Sequence, residues 1–355
     1  MAIRPRREVD QLAAVTHGGF HGGNKHVIDF SANVNPYGPS PRVWDALREV
    51  PIGRHPDPRA TLLRQFLSER VGLAMNQVLI GNGSVDLIYH IAVAFLRPGD
   101  RALIVEPTFG EYAAACRIMG ADIVSVPTQP LEQFRIDPTA LAAWLQRVQP
   151  RLFFLCNPNN PTSIYLERDA VEILLSACRD TLMVLDEAFV RFLGDPWSAL
   201  DLLQTGHLLI LRSLTKDYAL TGLRVGYAMA MPPIIQAIEK VQPPWSVNAL
   251  AQAGAIAALE DEEYLCRTLA ALQQAKKGLV AQLVERELAP LPSSVHYFLL
   301  PVRSAAETYA RLLERDILVR DCTSLGMPTF VRIATQKQED NTMLLRTLDE
   351  IRDEL

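Results

Sequence analysis

The chain has 355 residues, more than one compact core usually spans, so two domains or a large domain with a smaller lobe are expected. Apolar residues make up 49% and charged residues 21%, and a net charge of −5 without a dense Lys/Arg run argues against nucleic acid as the main partner. No window reaches the roughly 20 uninterrupted apolar residues of a membrane span. The basic start MAIRPRREVDQ lacks the apolar core of a secretory signal, and five scattered cysteines without C-x-x-C spacing predict no metal site and no disulfide framework. A soluble protein of a reducing, cytoplasmic compartment is expected.

The first 40 residues are rich in Gly, His, Asn and Pro and read as an extended arm in which HGG occurs twice, at 17–19 and 21–23. Between about 77 and 230, short apolar runs read as buried strands: QVLI (77–80), ALIVE (102–106), DIVSV (122–126), RLFFLC (151–156), TLMVLD (181–186), HLLILRS (207–213) and RVGYAMA (224–230). Amphipathic stretches such as 85–96 and 168–180 lie between several of them. Near-continuous apolar strands spaced by helices predict an α/β fold with a mostly parallel, seven-stranded sheet covered on both faces. After about 235 the character changes. A long Ala/Leu/Gln/Glu-rich stretch (248–288) reads as helix, followed by YFLLPV, the helix AETYARLLERD, ILVRD, FVRIAT and a last helix from about 338. The expected division is an arm (1–40) packing with the small domain, a large domain (41–240) and a smaller C-terminal α+β domain (241–355).

GNGS (81–84) follows the first of these strands and opens a helix. Glycines admit an anion to the free N–H groups of a helix start, so Gly83, Ser84 and Val85 form a candidate phosphate cup. Taken alone, the same residues read more readily as a tight turn with Ser84 as N-cap. NPNNPT (157–162) is a rigid polar turn at a strand end, where an Asn amide could donate to a ligand. Asp186 ends another apolar strand, at the sheet edge where open α/β sheets bind ligands, and would need a partner such as a protonated pyridine nitrogen or a cap or salt bridge. Lys216, in SLTKDYALTGLRVGY, lies past a third strand near Ser213 and Arg224. Most lysines in such places are solvated. Among cations in a dry site, however, its amine would be neutral enough to attack an aldehyde, while Arg224 offers a bidentate charge to a phosphate. Arg320 and Arg332 each follow an apolar run and, at strand ends, would suit a carboxylate or phosphate.

The set HGGN, DFSANVNPYG, GNGS, NPNNPT, DEAF, SLTK and GLRVGY resembles the fold-type I pyridoxal-phosphate enzymes, in the branch containing histidinol-phosphate aminotransferases and L-threonine-O-3-phosphate decarboxylases. The resemblance implies pyridoxal 5′-phosphate as cofactor, condensed with Lys216, with Asp186 on the pyridine nitrogen. It implies Asn160 on the phenolic oxygen, Phe109 stacked on the ring, and Gly83, Ser84, Val85, Ser213 and Arg224 around the phosphate. It places Arg332 and Arg320 on the substrate's anionic groups and implies further substrate contacts from His21, Gly22, Asn33 and Asn160. Relatives are homodimers, and His55 stands where they carry a Tyr that reaches the neighbouring subunit's cofactor phosphate.

Within the branch, HGGN before DFSANVNPYG, Phe189 in DEAF where aminotransferases usually have Tyr, PWSVNALA (244–251) and ILVRDC (317–322) are similar to the decarboxylases of cobalamin synthesis. The implied reaction is decarboxylation of L-threonine O-3-phosphate to (R)-1-amino-2-propanol O-2-phosphate. The alternatives are decarboxylation of L-serine O-phosphate and a histidinol-phosphate-type aminotransferase. Ser163, where a Gly is usual, and His296, where Asn is frequent, depart from the pattern. Some proteins of this fold sense effectors for transcription regulators, but Lys216 and Asp186 are both kept here.

Overall fold

The computed structural model describes residues 3–19, 26–194 and 197–354. Its strands in chain order are β1 (Ile28–Asp29), β2 (Val78–Gly81), β3 (Arg101–Glu106), β4 (Asp122–Pro127), β5 (Leu152–Cys156), β6 (Leu182–Asp186), β7 (Leu208–Ser213), β8 (Gly226–Ala230), β9 (Tyr297–Pro301), β10 (Ile317–Leu318), β11 (Arg320–Asp321) and β12 (Phe330–Ala334). Seven of them form one sheet in the order β2-β8-β7-β6-β5-β3-β4. Its strands run parallel from β4 to β7, and β8 is antiparallel to both its neighbours. The α/β expectation holds, with each apolar run of the sequence landing on a strand.

Those runs are continuous because both faces are covered. Phe153, Leu155, Met183, Leu185, Leu208 and Ile210 face one core with Leu63, Leu141, Leu174 and Ala255. Phe154, Leu152, Val184, Leu209 and Leu211 face the other with Leu87, Ile91, Tyr112 and Ile235. Residues adjacent along a strand thus feed opposite cores, and a polar residue facing either would be stranded. A third core lies beyond the sheet, where Phe298, Leu300, Val331 and Ile333 of the β11-β12-β9 sheet pack on Leu279, Leu283, Leu344 and Leu348. The arm is stitched to this part. β1 pairs in parallel with β10, Phe30 N–H donates to Leu318 O at 2.7 Å, and Ala334 N–H donates to Phe30 O at 2.9 Å.

Three local expectations need correction. The stretch read as one helix over 248–288 is two, Ala249–Glu260 and Glu262–Glu285. Asp261 separates them, its carboxylate accepting from Tyr264 N–H at 3.3 Å, because a short acidic side chain does better capping a new helix than continuing an old one. The arm also carries a helical turn at Arg7–Asp10 and is not extended throughout. Finally, the N-cap of helix Ser84–Phe95 is Gly83, at φ +85°, and Ser84 is the first helical residue.

The edge that matters is set by one cross-strand row. In register, Gly81, Gly226 and Ser213 lie side by side across β2, β8 and β7. A Cβ on Gly226 would stand 2.7 Å from Ser84 N and 2.9 Å from Arg212 O, both backbone atoms. Only glycine lets the helix start settle against the sheet there. Gly226→Ala should therefore cost about 1–3 kcal/mol of stability, as other overpacked sites do. Thermal unfolding checks it, and an unchanged Tm would mean that the helix start can back away freely.

Candidate active site

The turns after β2, β3, β5, β6 and β7 and the turn before β8 meet at one edge of the sheet. They enclose a cavity of about 410 Å³ lined by Ser84, Val85, Phe109, Asn160, Asp186, Ser213, Lys216 and Arg224, with Asn33, Arg320 and Arg332 from the other side. Gly83 sits under its rim, where an added Cβ would lie 2.7 Å from the Arg224 guanidinium. The free N–H groups of the helix start, the Ser213 and Thr215 hydroxyls (2.7 Å apart) and Arg224 thus converge on one spot. This is the donor set of a phosphate site. Arg224 holds φ +60°, with its Nη1 donating to Thr221 O at 3.1 Å.

Asp186 is buried at the carboxyl end of β6. Its Oδ1 accepts from Ala188 N–H at 2.9 Å and its Oδ2 from the Tyr112 hydroxyl at 2.7 Å. Burial raises its pKa, and those two donors oppose the rise. Lys216 faces it from the turn after β7. Burial lowers the Lys216 pKa to about 8, Arg332 and Arg224 push the same way, and Asp186 pulls against them. A fair share of this lysine is therefore neutral near physiological pH, as a nucleophilic amine must be.

Arg320 and Arg332 face each other across β11 and β12, both nearly fully buried. Arg332 lies inside its strand and not at the end expected from sequence. It donates to Asn160 Oδ1 and to Ser31 O, and its Nε has no partner among the described residues. Asn33 Oδ1 is likewise buried without one. Two orphaned polar atoms beside the cavity are a cost that a polar ligand would remove. In the NPNNPT turn, Asn157 is bonded to Leu166 on both sides of its amide and Asn159 to Thr108, Thr162 and Pro107 O. Only Asn160 is left to face the cavity. Ser163, at φ +61°, explains why glycine suits that position.

The arm lines the cavity. Val15 packs where a Cβ on Gly110 would lie, Arg320 Nη2 donates to Thr16 O at 2.7 Å, and Gly18 lies against Ser31 O. His17 Nε2 is 2.7 Å from Glu111 Oε1, and Glu111 Oε2 accepts from the Tyr89 hydroxyl at 2.7 Å. His17 and Gly18, from the first HGG, thus line the cavity. His21 and Gly22 lie outside the described residues. His55 does not line this chain's cavity. It is exposed and stacks on Trp245 with ring centroids 4.7 Å apart. His296 lies behind the wall, stacked on Phe192, and burial holds it neutral. Sequence reasoning left open which HGG copy faces the site, and it missed Glu111 and Tyr112. The usable signal for Tyr112 was its place in FGEY, three residues after Phe109 and so on the same face of a helix start.

A larger cleft of about 540 Å³ opens at the opposite edge of the sheet, among Arg101, Arg151, Arg179, Asp100 and Asp180. Its three arginines are exposed, and the carboxyl ends of helices Pro138–Val148 and Arg168–Ser176 point toward it, which disfavours an anion. Among the described residues no His/Cys/Asp/Glu group is arranged to hold a metal and no helix is long and apolar enough to cross a membrane.

A buried carboxylate facing a partly neutral lysine beside a phosphate cup defines an enzyme that holds an aldehyde cofactor. The sequence pattern of aminotransferase class I and II matches residues 25–348, and the chain belongs to that family. The histidinol-phosphate aminotransferase of Moorella thermoacetica is 34% identical over 337 residues, 93% of this chain and 86% of that protein. Among solved structures, the histidinol-phosphate aminotransferase of Sinorhizobium meliloti in complex with pyridoxal-5′-phosphate superposes with a TM-score of 0.86 at 24% identity, covering 99% of each chain. The L-threonine-O-3-phosphate decarboxylase of Porphyromonas gingivalis superposes at 0.81 with 29% identity, over 91% of this chain and 99% of that one. The chain is thus an enzyme of the histidinol-phosphate aminotransferase branch, and its cofactor is pyridoxal 5′-phosphate. The residues present fit that group: a glycine-lined anion cradle, a carboxylate with acceptor capacity left and an amine of lowered pKa.

Only the neutral amine adds to an aldehyde. The rate at which cofactor-free protein takes up pyridoxal phosphate, followed by its long-wavelength absorbance, should therefore rise with pH through about 8. Arg332→Gln removes a cation and should move that midpoint upward. A midpoint that stays put would assign the lowered value to burial and Arg224. Lys216→Ala should lose the absorbance band altogether.

Proposed function

We propose that this enzyme decarboxylates L-threonine O-3-phosphate to (R)-1-amino-2-propanol O-2-phosphate in cobalamin biosynthesis, working as a cytoplasmic homodimer. The observation that carries the reading is the buried Arg320–Arg332 pair, tied to the arm through Thr16 O and set across the cavity from the phosphate cup. Two guanidiniums on that side suit a small substrate with both a carboxylate and a phosphate. In this reading Gly83, Ser84, Val85, Ser213 and Arg224 take the cofactor phosphate, Phe109 covers the ring, and Asp186 accepts from the ring nitrogen. The oxygen of the Asn160 amide is engaged by Arg332, so its NH₂ is free to donate to the phenolic oxygen. The arm covers the substrate, and His17 and Gly18 of the first HGG line the cavity there. Asn33, whose buried Oδ1 lacks a partner, is a further substrate contact.

The bound cofactor supplies an electron sink that labilises whichever substrate bond stands perpendicular to its ring. The chain's part is to choose that bond. Arg320 and Arg332 fix the substrate's anionic ends, Asn160 ties Arg332 to the ring's position, and the arm excludes water. Lys216, once free, is the nearest group able to return a proton to Cα. The arm (1–40), the cofactor domain (41–240) and the C-terminal domain (241–355) would then have distinct duties; the core of Phe298 and Val331 is separate from that of the sheet, while Ala251, Ala255 and Leu265 pack with the sheet. Exposed Trp245, stacked on His55, and exposed Ile52, three residues before it, support a second copy on that face, with His55 reaching the partner's cofactor phosphate.

A second reading is transamination of a histidinol-phosphate-type substrate. The names of relatives such as that of Moorella thermoacetica favour it, and the two arginines would equally suit a dicarboxylate amino-group acceptor. The holoenzyme incubated with L-threonine O-3-phosphate should release CO₂ without 2-oxoglutarate, and Arg320→Ala should lower kcat/KM about 30-fold or more, since losing the partner of a buried charge costs about 2–5 kcal/mol. Absence of CO₂ together with 2-oxoglutarate-dependent amino transfer would overturn the decarboxylase in favour of the second reading. L-serine O-phosphate, assayed alongside, tells whether the extra methyl matters.

A further inference from the structure

We propose that Tyr112 is a positioning residue that holds the Asp186 carboxylate ionised and aimed at the ring nitrogen of the cofactor. The inference rests on the reading of Asp186 as that nitrogen's partner. Asp186 is 3% exposed and among the described residues has no lysine or arginine in ion-pair contact. A carboxylate so placed tends to take up a proton, and a neutral acid would no longer pair with a protonated ring.

The groups that bear on Asp186 come from every element around it. Glu187, next along the chain, pushes its pKa up. Ala188 N–H and the Tyr112 hydroxyl pull it down, Lys216 pulls from across the cavity, and Cys156 of β5 and Tyr297 of β9 complete the surroundings. Tyr112 acts more strongly than the other groups that favour the charged form. Its own phenol stays protonated, because burial first and then Asp186 raise its pKa well above the usual value. It is therefore always the donor.

The donor cannot swing away. Tyr112 is 1% exposed. Its ring stacks on Phe154 at 5.0 Å with 16° between planes, and Phe109 lies edge-on at 5.6 Å. With one donor on each oxygen, Asp186 keeps a lone pair on each for a further N–H. Phe109 and Tyr112 thus belong to one device: the first covers the site where the ring lies, and the second fixes the acceptor at its nitrogen.

Tyr112→Phe keeps the ring stack and deletes only the hydroxyl, so the variant folds. Its cofactor dissociation constant should rise about tenfold or more, the usual worth of a hydrogen bond to a charged group. The acid limb of cofactor retention should also move to higher pH by about one unit, because an Asp186 without its donor is protonated sooner. In an Asp186→Asn background the same change should add nothing to the loss of affinity. If Tyr112→Phe weakens binding equally in both backgrounds and leaves the acid limb in place, Tyr112 is only packing and the proposal is overturned, while the role of Asp186 stands. If Asp186→Asn alone changes neither affinity nor the acid limb, the reading of Asp186 itself fails.

Discussion

The close approach of a helix start to a sheet edge at Gly226 is the constraint on which the rest depends. Because Gly81, Gly226 and Ser213 lie in one row, the turn after β2, the turn after β7 and the residues leading into β8 are brought within reach of one phosphate-sized volume. The parallel run of β3, β5, β6 and β7 then delivers Phe109, Asn160, Asp186 and Lys216 to the same edge, each from its own strand. Rigid strand ends, each followed by a short turn, set the spacing of the chemistry, which suits groups that must stay in place.

Within that frame, electrostatics is arranged by withholding partners as much as by supplying them. Where the fold wants a stable charge deep inside, it pairs it: Glu187 and Arg212, one residue beyond Asp186 and one before Ser213, join at 2.8 Å. Asp186 and Lys216 have no such ion pair. Neutral donors oppose the rise that burial gives the Asp186 pKa, and burial, with nearby guanidiniums behind it, lowers that of Lys216. A lysine–aspartate salt bridge here would quench both groups.

Much of this was readable in the sequence because its signals are local. An apolar run flanked by turn residues marks a buried strand, and a Gly-rich turn before a helix marks an anion cradle, so Gly83, Ser84, Asp186, Lys216 and Arg224 could be named from spacing and the family resemblance. What escaped depends on contacts between distant segments. Two copies of HGG are equivalent in composition, and only the packing of Val15 on Gly110 and of Gly18 on Ser31 brings the first of them to the cavity. Glu111 and Tyr112 look like ordinary first-turn residues until His17 and Asp186 are found opposite them. The break at Asp261 was hidden by a composition that favours helix on both sides of it. The pairing of Arg320 with Arg332 is a matter of strand register, which two short and separated segments do not announce.

The parallel pairing of Ile28 with Ile317 has a consequence for how the molecule is made. The segment that tethers the arm leaves the ribosome well before its mate, because the whole of the large sheet is encoded between Ile28 and Ile317. At usual elongation rates of about 5–20 residues per second, the arm waits on the order of tens of seconds without its partner. The large sheet, whose strands are all encoded in between, can assemble during that interval with its ligand-binding edge uncovered. The newborn enzyme is therefore open to its cofactor before the tether that leads to its cover is in place.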